Sequence, residues 1–285
     1  MKVLVTGVTG QLGYDCVKEL ERRGAEVRGV SSKVFSLTDY EAARDYITTW
    51  RPEVVIHCAA YTAVDQAEDE AERCEAVNSG GTRNLAEICR DIDAKMIYIS
   101  TDYVFRGEGD QFYEPAAEKD PHNVYGRTKL QGELAVQALL EKYFIVRISW
   151  VFGVNGRNFI RTMLKLSETH DALTVVDDQV GSPTYTRDLA VLLADMAASS
   201  RYGVYHATNE GVCSWAELAA EVFRQAGRST TVTPVSSSAY PTKAIRPKNS
   251  RLSKDCLDEA GFQRLPRWQM SQQDHLLVAE LMPTP

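Results

Sequence analysis

Between Lys2 and about Arg201 the apolar positions follow two alternating rhythms. Short β-branched runs, KVLVT, AEVRGV, EVVIHCAA, KMIYIS and FIVRIS, read as strands. Between them the apolar residues recur at helical spacing. Leu12, Cys16 and Leu20 share one helix face, and Tyr40, Ala43, Ile47 and Trp50 share another, the second opened by a capping box of Thr38 and Glu41. The runs after the first are nearly continuous in apolar residues, which predicts strands buried on both faces. This alternation predicts an α/β fold with a doubly wound parallel sheet. After about Val151 the rhythm loosens. Helices are expected at NFIRTMLKL, RDLAVLLADMA and SWAELAAEVFRQ, the last with a Ser214/Glu217 capping box, and a strand at LTVVDD. The turn-rich VTPVSSSAYPTKAIRPKNS leads to a final helical stretch, WQMSQQDHLLVAEL.

Composition narrows the class. A chain of 285 residues, 44% hydrophobic, can bury a large core. Its formal charge of −7 argues against a surface that coats nucleic acid. The apolar patch LAVLLADMAA is interrupted by Asp195 and too short to span a bilayer, so no membrane partner is expected. The chain opens directly on a strand, and its six cysteines show no C-x-x-C pair and no Cys/His metal spacing. Reduced, buried thiols in a soluble cytoplasmic protein are the expectation, with no metal site.

KVLVT runs into GVTGQLG, which sets Gly7, Gly10 and Gly13 directly between a strand and a helix. Gly7 permits a tight turn, Gly10 a close approach to a pyrophosphate, and Gly13 close helix–sheet packing. The helix N-terminus would face the phosphates. This defines a Rossmann-type dinucleotide site. Residues 1–150 then form the NAD(P)-binding core, and residues 151–285 a smaller, mainly substrate-binding lobe interleaved with it. NAD selection rests on an acidic residue at the end of the second strand. Here that end reads Val30-Ser31-Ser32-Lys33, with Arg28 nearby. Hydroxyls and cations suit a 2′-phosphate, so NADPH is expected over NADH.

Two tyrosine–lysine pairs share a four-residue spacing, Tyr14/Lys18 in GYDCVKEL and Tyr125/Lys129 in VYGRTKL. With 13 tyrosines in the chain, the spacing alone decides nothing. Position decides between them. Tyr14 lies on the helix whose start faces the pyrophosphate. Tyr125 follows a strand ending in Ser100-Thr101-Asp102, at the sheet edge where chemistry occurs in open α/β folds. A lysine one helical turn from a tyrosine can lower the phenol's pKa from about 10.

With these motifs in order, the chain resembles the extended short-chain dehydrogenase/reductase superfamily and, more narrowly, the dTDP-4-dehydrorhamnose reductase family. The resemblance rests on GVTGQLG, RPEVVIHCAAYTAVDQAE, YISTDYVFRG, NVYGRTKLQGE, RISWVFG, NGRNFIRTM, DDQVGSPTYTRDLA, YHATNEG and RPKNSRL. It implies NADPH-dependent reduction of the C4 ketone of a dTDP-linked 4-keto-6-deoxy sugar, dTDP-4-dehydro-L-rhamnose, to supply rhamnose for cell-surface polysaccharide. In that pattern Tyr125 would protonate the C4 oxygen. Lys129 would bond the nicotinamide ribose and keep Tyr125 acidic, and Thr101 would polarise the carbonyl. Asp102, Tyr103 and Trp150 match substrate positions. Gly10, Gln11 and Leu12 match the pyrophosphate turn, and Ala59, Ala60 and Tyr61 the strand end beside the cofactor. Relatives often carry an acidic residue at Ser31, and an aspartate near the adenine where this chain has Ser36 before Leu37. The resemblance also admits Mg²⁺ at a dimer contact, and a homodimer. Other members of the superfamily are epimerases or dehydratases, and one relative is a regulatory subunit of methionine adenosyltransferase. Independently of the family, KAIRPKNSR gathers Lys243, Arg246, Lys248 and Arg251 with no acid among them. Arginine forks match pyrophosphate oxygens, so Arg246 is expected at the sugar nucleotide.

Overall fold

The computed structural model describes residues 1–278. Its main sheet has six strands: β1 Lys2–Thr6, β2 Glu26–Val30, β3 Val54–His57, β4 Lys95–Thr101, β5 Tyr143–Ile148 and β6 Gly203–His206. All pairings are parallel, and the spatial order is β6-β5-β4-β3-β1-β2. Because the strands run the same way, their carboxyl ends form one edge, with Thr6 opposite Val30 and His57, and Thr101 opposite Ile148. The order reverses between β1 and β3, which is the switch point where such sheets open a crevice. The sixth strand lies in the second half of the chain and was not anticipated. In GVYH only Val204 and Tyr205 are apolar, too short an apolar run to announce a strand.

Alternate residues of the strands face two cores. Val3, Val5 and Ile97 pack on one side with Leu12, Cys16 and Leu20 of α1 (Gln11–Arg22) and Leu189 and Leu193 of α6 (Thr186–Ala198). Leu4, Val55 and Tyr98 pack on the other with Ile47 of α2 (Tyr40–Trp50), Leu85 and Ile88 of α3 (Gly81–Asp91), and Val136 of α4 (Val124–Leu139). Each such aliphatic side chain contributes about 1.5–3 kcal/mol on burial. The expectation of strands buried on both faces fails for β2, an edge strand whose Glu26, Arg28 and Gly29 are exposed. Asp39, not a Thr38/Glu41 box, caps α2, its carboxylate accepting from the Ala42 N–H at 3.1 Å. Thr38 instead pairs with the Ser36 hydroxyl, and Glu41 with Arg44. The second predicted box is present at Ser214 and Glu217.

The smaller lobe packs α5 (Phe159–Ser167) and α7 (Trp215–Gln225) over a parallel pair of strands, Ala172–Val176 and Thr231–Val235. Its own core includes Phe152, Ile160, Val222 and Phe223. A last helix, α8, covers Trp268–Val278, and the remainder of the predicted WQMSQQDHLLVAEL helix lies outside the described residues. Among the described residues no helix is long and apolar enough to cross a membrane, and no group of three His, Cys, Asp or Glu side chains could hold a metal ion. All six cysteines are free.

Candidate active site

A cavity of about 680 Å³ opens along the carboxyl edge of the sheet. The glycine turn forms one end of it. Gly7 has φ +72°, and a Cβ there would lie 2.7 Å from the Ala59 nitrogen, so the β1 and β3 ends meet only because the side chain is missing. A Cβ on Gly13 would lie 2.5 Å from the Gly7 carbonyl oxygen. The turn is therefore built to bring bare backbone and the α1 N-terminus against a ligand, which fits a pyrophosphate. A loop of the smaller lobe is stitched onto it. Asn155 donates to the Thr9 and Gly10 carbonyls, both at 3.1 Å, and Asn158 to the Gln11 side chain at 3.0 Å.

Most of the residues expected at the site line this cavity: Gly7, Gly10, Gln11, Leu12, Gly13, Ser31, Leu37, Ala59 and Ala60 of those expected at the cofactor, and Thr101, Asp102, Tyr103, Tyr125, Lys129 and Trp150 of those expected to be catalytic or at the substrate. Two do not line it. Tyr61 turns its hydroxyl outward to donate to Glu70 at 3.1 Å. Arg246 pairs with Asp65 at 2.6 Å and reaches Tyr103 at the rim. Arg28 is also drawn off, its guanidinium lying 4.8 Å from the centre of the Trp50 ring. The cations read as one basic cluster are mostly engaged: Lys243 with Asp69, Arg246 with Asp65, and Lys248 with Asp178.

The corner of the cavity that holds Thr101, Tyr125 and Lys129 is made by β4 and α4. Asn123 caps α4 by accepting from the Gly126 N–H at 2.7 Å, which fixes where Tyr125 leaves the helix. The Tyr125 hydroxyl lies near the Thr101 side chain, and its ring meets Tyr103 edge-on. Thr101 in turn donates to Asp102 at 3.0 Å. Asp102 is buried and also accepts from Ser250 at 2.5 Å; burial, partly offset by these bonds, pushes its carboxyl up to about 6. Burial and the neighbouring Asp102 carboxylate hold the Tyr125 phenol well above its ordinary value, and Thr101 opposes them. In the protein by itself the tyrosine thus keeps its proton. Lys129 is buried, donates to the Ile99 carbonyl at 2.7 Å, and burial brings its ammonium down to about 7.

Trp150, expected at the substrate, has an unusual backbone, and further residues of the site gave no sequence signal. Trp150 sits at φ +49°, unusual for a bulky residue, and stacks on Trp215 with 3.7 Å between ring centroids. Hydrogen bonds from Thr184 to the Ser149 and Trp150 carbonyls hold that backbone. Asn78 lies in a π-helical turn, Ala76–Gly80, and its side chain bonds the N–H and C=O of Tyr61 and the Thr128 hydroxyl. It ties the loop after β3 to the helix that carries Tyr125. Phe35, Cys58 and Arg157 also line the cavity.

A dinucleotide turn at a sheet switch point, with a Thr–Tyr–Lys set at the adjoining strand end, defines a Rossmann-fold oxidoreductase of the extended short-chain type. Comparison with known proteins places the chain more narrowly. The family model for the RmlD substrate binding domain matches residues 1–280, and the chain belongs to that family. It is 42% identical over 272 residues to the dTDP-4-dehydrorhamnose reductase of Streptomyces griseus, covering 93% of this chain and 90% of the relative. It is 39% identical over 275 residues to the spore coat polysaccharide biosynthesis protein SpsK of Bacillus subtilis, covering 96% of each. The crystal structure of dTDP-4-dehydrorhamnose reductase from Bacillus anthracis in complex with NADP superposes with a TM-score of 0.95 at 39% identity, covering 97% of this chain and 99% of that one.

Proposed function

We propose that this protein reduces the C4 ketone of dTDP-4-dehydro-L-rhamnose to give dTDP-L-rhamnose, with NADPH as reductant. The observation that carries the reading is the convergence of Thr101, Tyr125 and Lys129 in one cavity with the glycine turn. The names of the relatives supply the substrate class, and the NADP complex of the Bacillus anthracis enzyme favours the phosphorylated cofactor. Gly7, Gly10, Gln11, Leu12 and Gly13 would hold the pyrophosphate, Ser31 and Ser32 the adenosine ribose, and Lys129 the nicotinamide ribose. When bound, NADPH supplies hydride to the C4 carbon.

The chain's own groups manage the oxygen. Tyr125, protonated and beside Thr101, gives its proton to the C4 oxygen as negative charge gathers there. Thr101 is free to turn its own hydroxyl from Asp102 to the same oxygen and polarise it. The Lys129 ammonium stabilises the phenolate left behind until solvent returns the proton. Asp102 and Tyr103 border the sugar, and the Trp150/Trp215 stack offers a flat apolar wall. Arg246 at the rim serves the sugar-nucleotide diphosphate by exchanging Asp65 for phosphate oxygens.

The deciding experiment is spectrophotometric NADPH oxidation with dTDP-4-dehydro-L-rhamnose against other 4-keto sugar nucleotides. Stoichiometric NADPH loss supports the reductase. Conversion of sugar without net loss would make the protein an epimerase or dehydratase, and tight cofactor binding without any turnover would make it a regulatory subunit.

A further inference from the structure

Among the described residues Lys129 has no carboxylate partner at ion-pair distance. Glu133, one turn further along α4, is committed to Arg147 at 2.7 Å and to the Ser100 hydroxyl at 2.5 Å. The other titratable groups around the ammonium are His57 and Cys58 at the end of β3, Cys74 on the helix Ala71–Glu75, and Tyr125 on its own helix. Burial and the nearby ammonium hold His57 down to about 3, so it is neutral. What does approach Lys129 is a ring. Its Nζ lies 4.1 Å from the centre of the Tyr98 side chain, which projects from β4.

That ring is held from several directions. His57 stacks on it at 5.6 Å with 29° between planes. The Tyr98 hydroxyl donates to the Lys129 carbonyl at 3.2 Å. Gly132 makes the room, since a Cβ there would lie 2.3 Å from the Tyr98 hydroxyl oxygen. Glycine inside a helix costs about 1 kcal/mol relative to alanine, so its presence within α4 calls for a packing reason. Tyr98 supplies one.

We propose that Tyr98 is the positioning residue for Lys129: its π face takes the place of a carboxylate, keeping the ammonium charged and in place below the cavity, and Gly132 admits it. The proposal rests on the reading of Lys129 as the residue that holds the nicotinamide ribose. A ring face attracts a cation without accepting its proton. A carboxylate there would pair with the ammonium outright and would add a second negative charge beside the phenolate that Tyr125 must become. The ring therefore holds Lys129 while leaving its charge available.

The test compares isosteric rings at position 98. Tyr98→Phe keeps the π face and loses the hydroxyl; a ring-fluorinated phenylalanine at that position keeps the shape and weakens the face; Tyr98→Leu removes it. NADPH dissociation constants without sugar, and kcat/KM with it, are measured from about pH 6 to about pH 9, around the ordinary histidine-to-lysine interval. Tyr98→Phe is expected to leave the alkaline midpoint of both curves in place. The fluorinated ring and Tyr98→Leu are expected to lower it by about one pH unit, the size of a desolvated cation–π contact. An unmoved midpoint with the fluorinated ring overturns the proposal, as does a shift in Tyr98→Phe equal to that of the fluorinated ring. The two rings decide the matter even if Tyr98→Leu fails to fold. The binding curve needs no sugar, so failure of the reductase reading is detected separately, as an absence of turnover in the unaltered protein.

Discussion

Tyr14/Lys18 and Tyr125/Lys129 share spacing and helical setting, yet their surroundings differ in kind. On α1, Lys18 is exposed and folds back over its own tyrosine, with Nζ 4.4 Å from the ring centre. Neither residue lines the cavity. On α4, Lys129 is buried and lies over Tyr98, a ring from another element, which leaves Tyr125 free to meet Thr101. The pairing of residues along a helix is thus only a starting condition. What would make the second pair a chemical device, on the proposed function, is a strand that sets a hydroxyl near the tyrosine and an aromatic face against the lysine. Four-residue spacing puts both side chains on one side of the helix, and the neighbouring strand decides what each of them does.

Removing the phenol from each pair should separate them most. Tyr125→Phe is expected to lower kcat by roughly two to four orders of magnitude, the range for losing a general acid, with the NADPH dissociation constant little changed. Tyr14→Phe and Lys18→Met should both keep turnover within about twofold, as surface substitutions do. Stopped-flow or steady-state NADPH oxidation measures all three. Near-normal turnover in Tyr125→Phe would return the second pair to the status of the first.

A smaller loss is expected at the turn that brings the cofactor to the second pair. Gly13→Ala sets a methyl 2.5 Å from the Gly7 carbonyl oxygen, and backbone must move to accept it. Overpacking of this kind costs about 1–3 kcal/mol. If the bound state carries that cost, NADPH binding weakens roughly 5- to 150-fold. Fluorescence titration of NADPH, with a melting curve to confirm the fold, checks it. The turn, the first five strands and the Thr101/Tyr125/Lys129 set were legible because each is a local pattern: an apolar run, three glycines at fixed offsets, a motif on one helix. The contacts that complete the site were not. β6 joins the sheet beside β5 from the far half of the chain, Asn155 reaches the glycine turn from the smaller lobe, and Tyr98 reads in sequence as one more apolar residue of a buried strand. Long-range pairing leaves no period to detect.

The basic loop shows the same limit and gives a third test. Its four cations carry no acid among them in sequence, but Asp65, Asp69 and Asp178 arrive from elsewhere to pair with three. On the proposed function, Arg246 would trade one anion for another when a diphosphate binds. Arg246→Ala is expected to raise KM for the sugar nucleotide about tenfold, the low end for a charge-assisted hydrogen bond because Asp65 already competes for it. Asp65→Asn should change KM in the opposite direction or leave it unmoved. Initial rates at varied sugar nucleotide and saturating NADPH read both, and an unchanged KM in Arg246→Ala would remove Arg246 from the substrate site.

The smallest expected effect concerns the cost of burying the second lysine. An unfolded chain keeps the proton of a lysine up to about 10.4, whereas burial in the fold brings Lys129 down to about 7. Between those values the unfolded state binds more protons, so the contribution of Lys129 to stability rises with pH across the window and is least below it. Other titrating groups act in the same range, and comparison with Lys129→Met cancels them. The melting temperature of the cofactor-free protein minus that of Lys129→Met should increase as pH rises from about 7 to about 9, by roughly 2–4 °C per pH unit at most. Differential scanning calorimetry at intervals of pH provides the curve. A difference that stays flat would mean that the Tyr98 face and the Ile99 carbonyl compensate the ammonium fully for lost water, and that the proton stays on Lys129 without help from a bound cofactor. A rising difference would mean that the bare protein holds this charge at a cost.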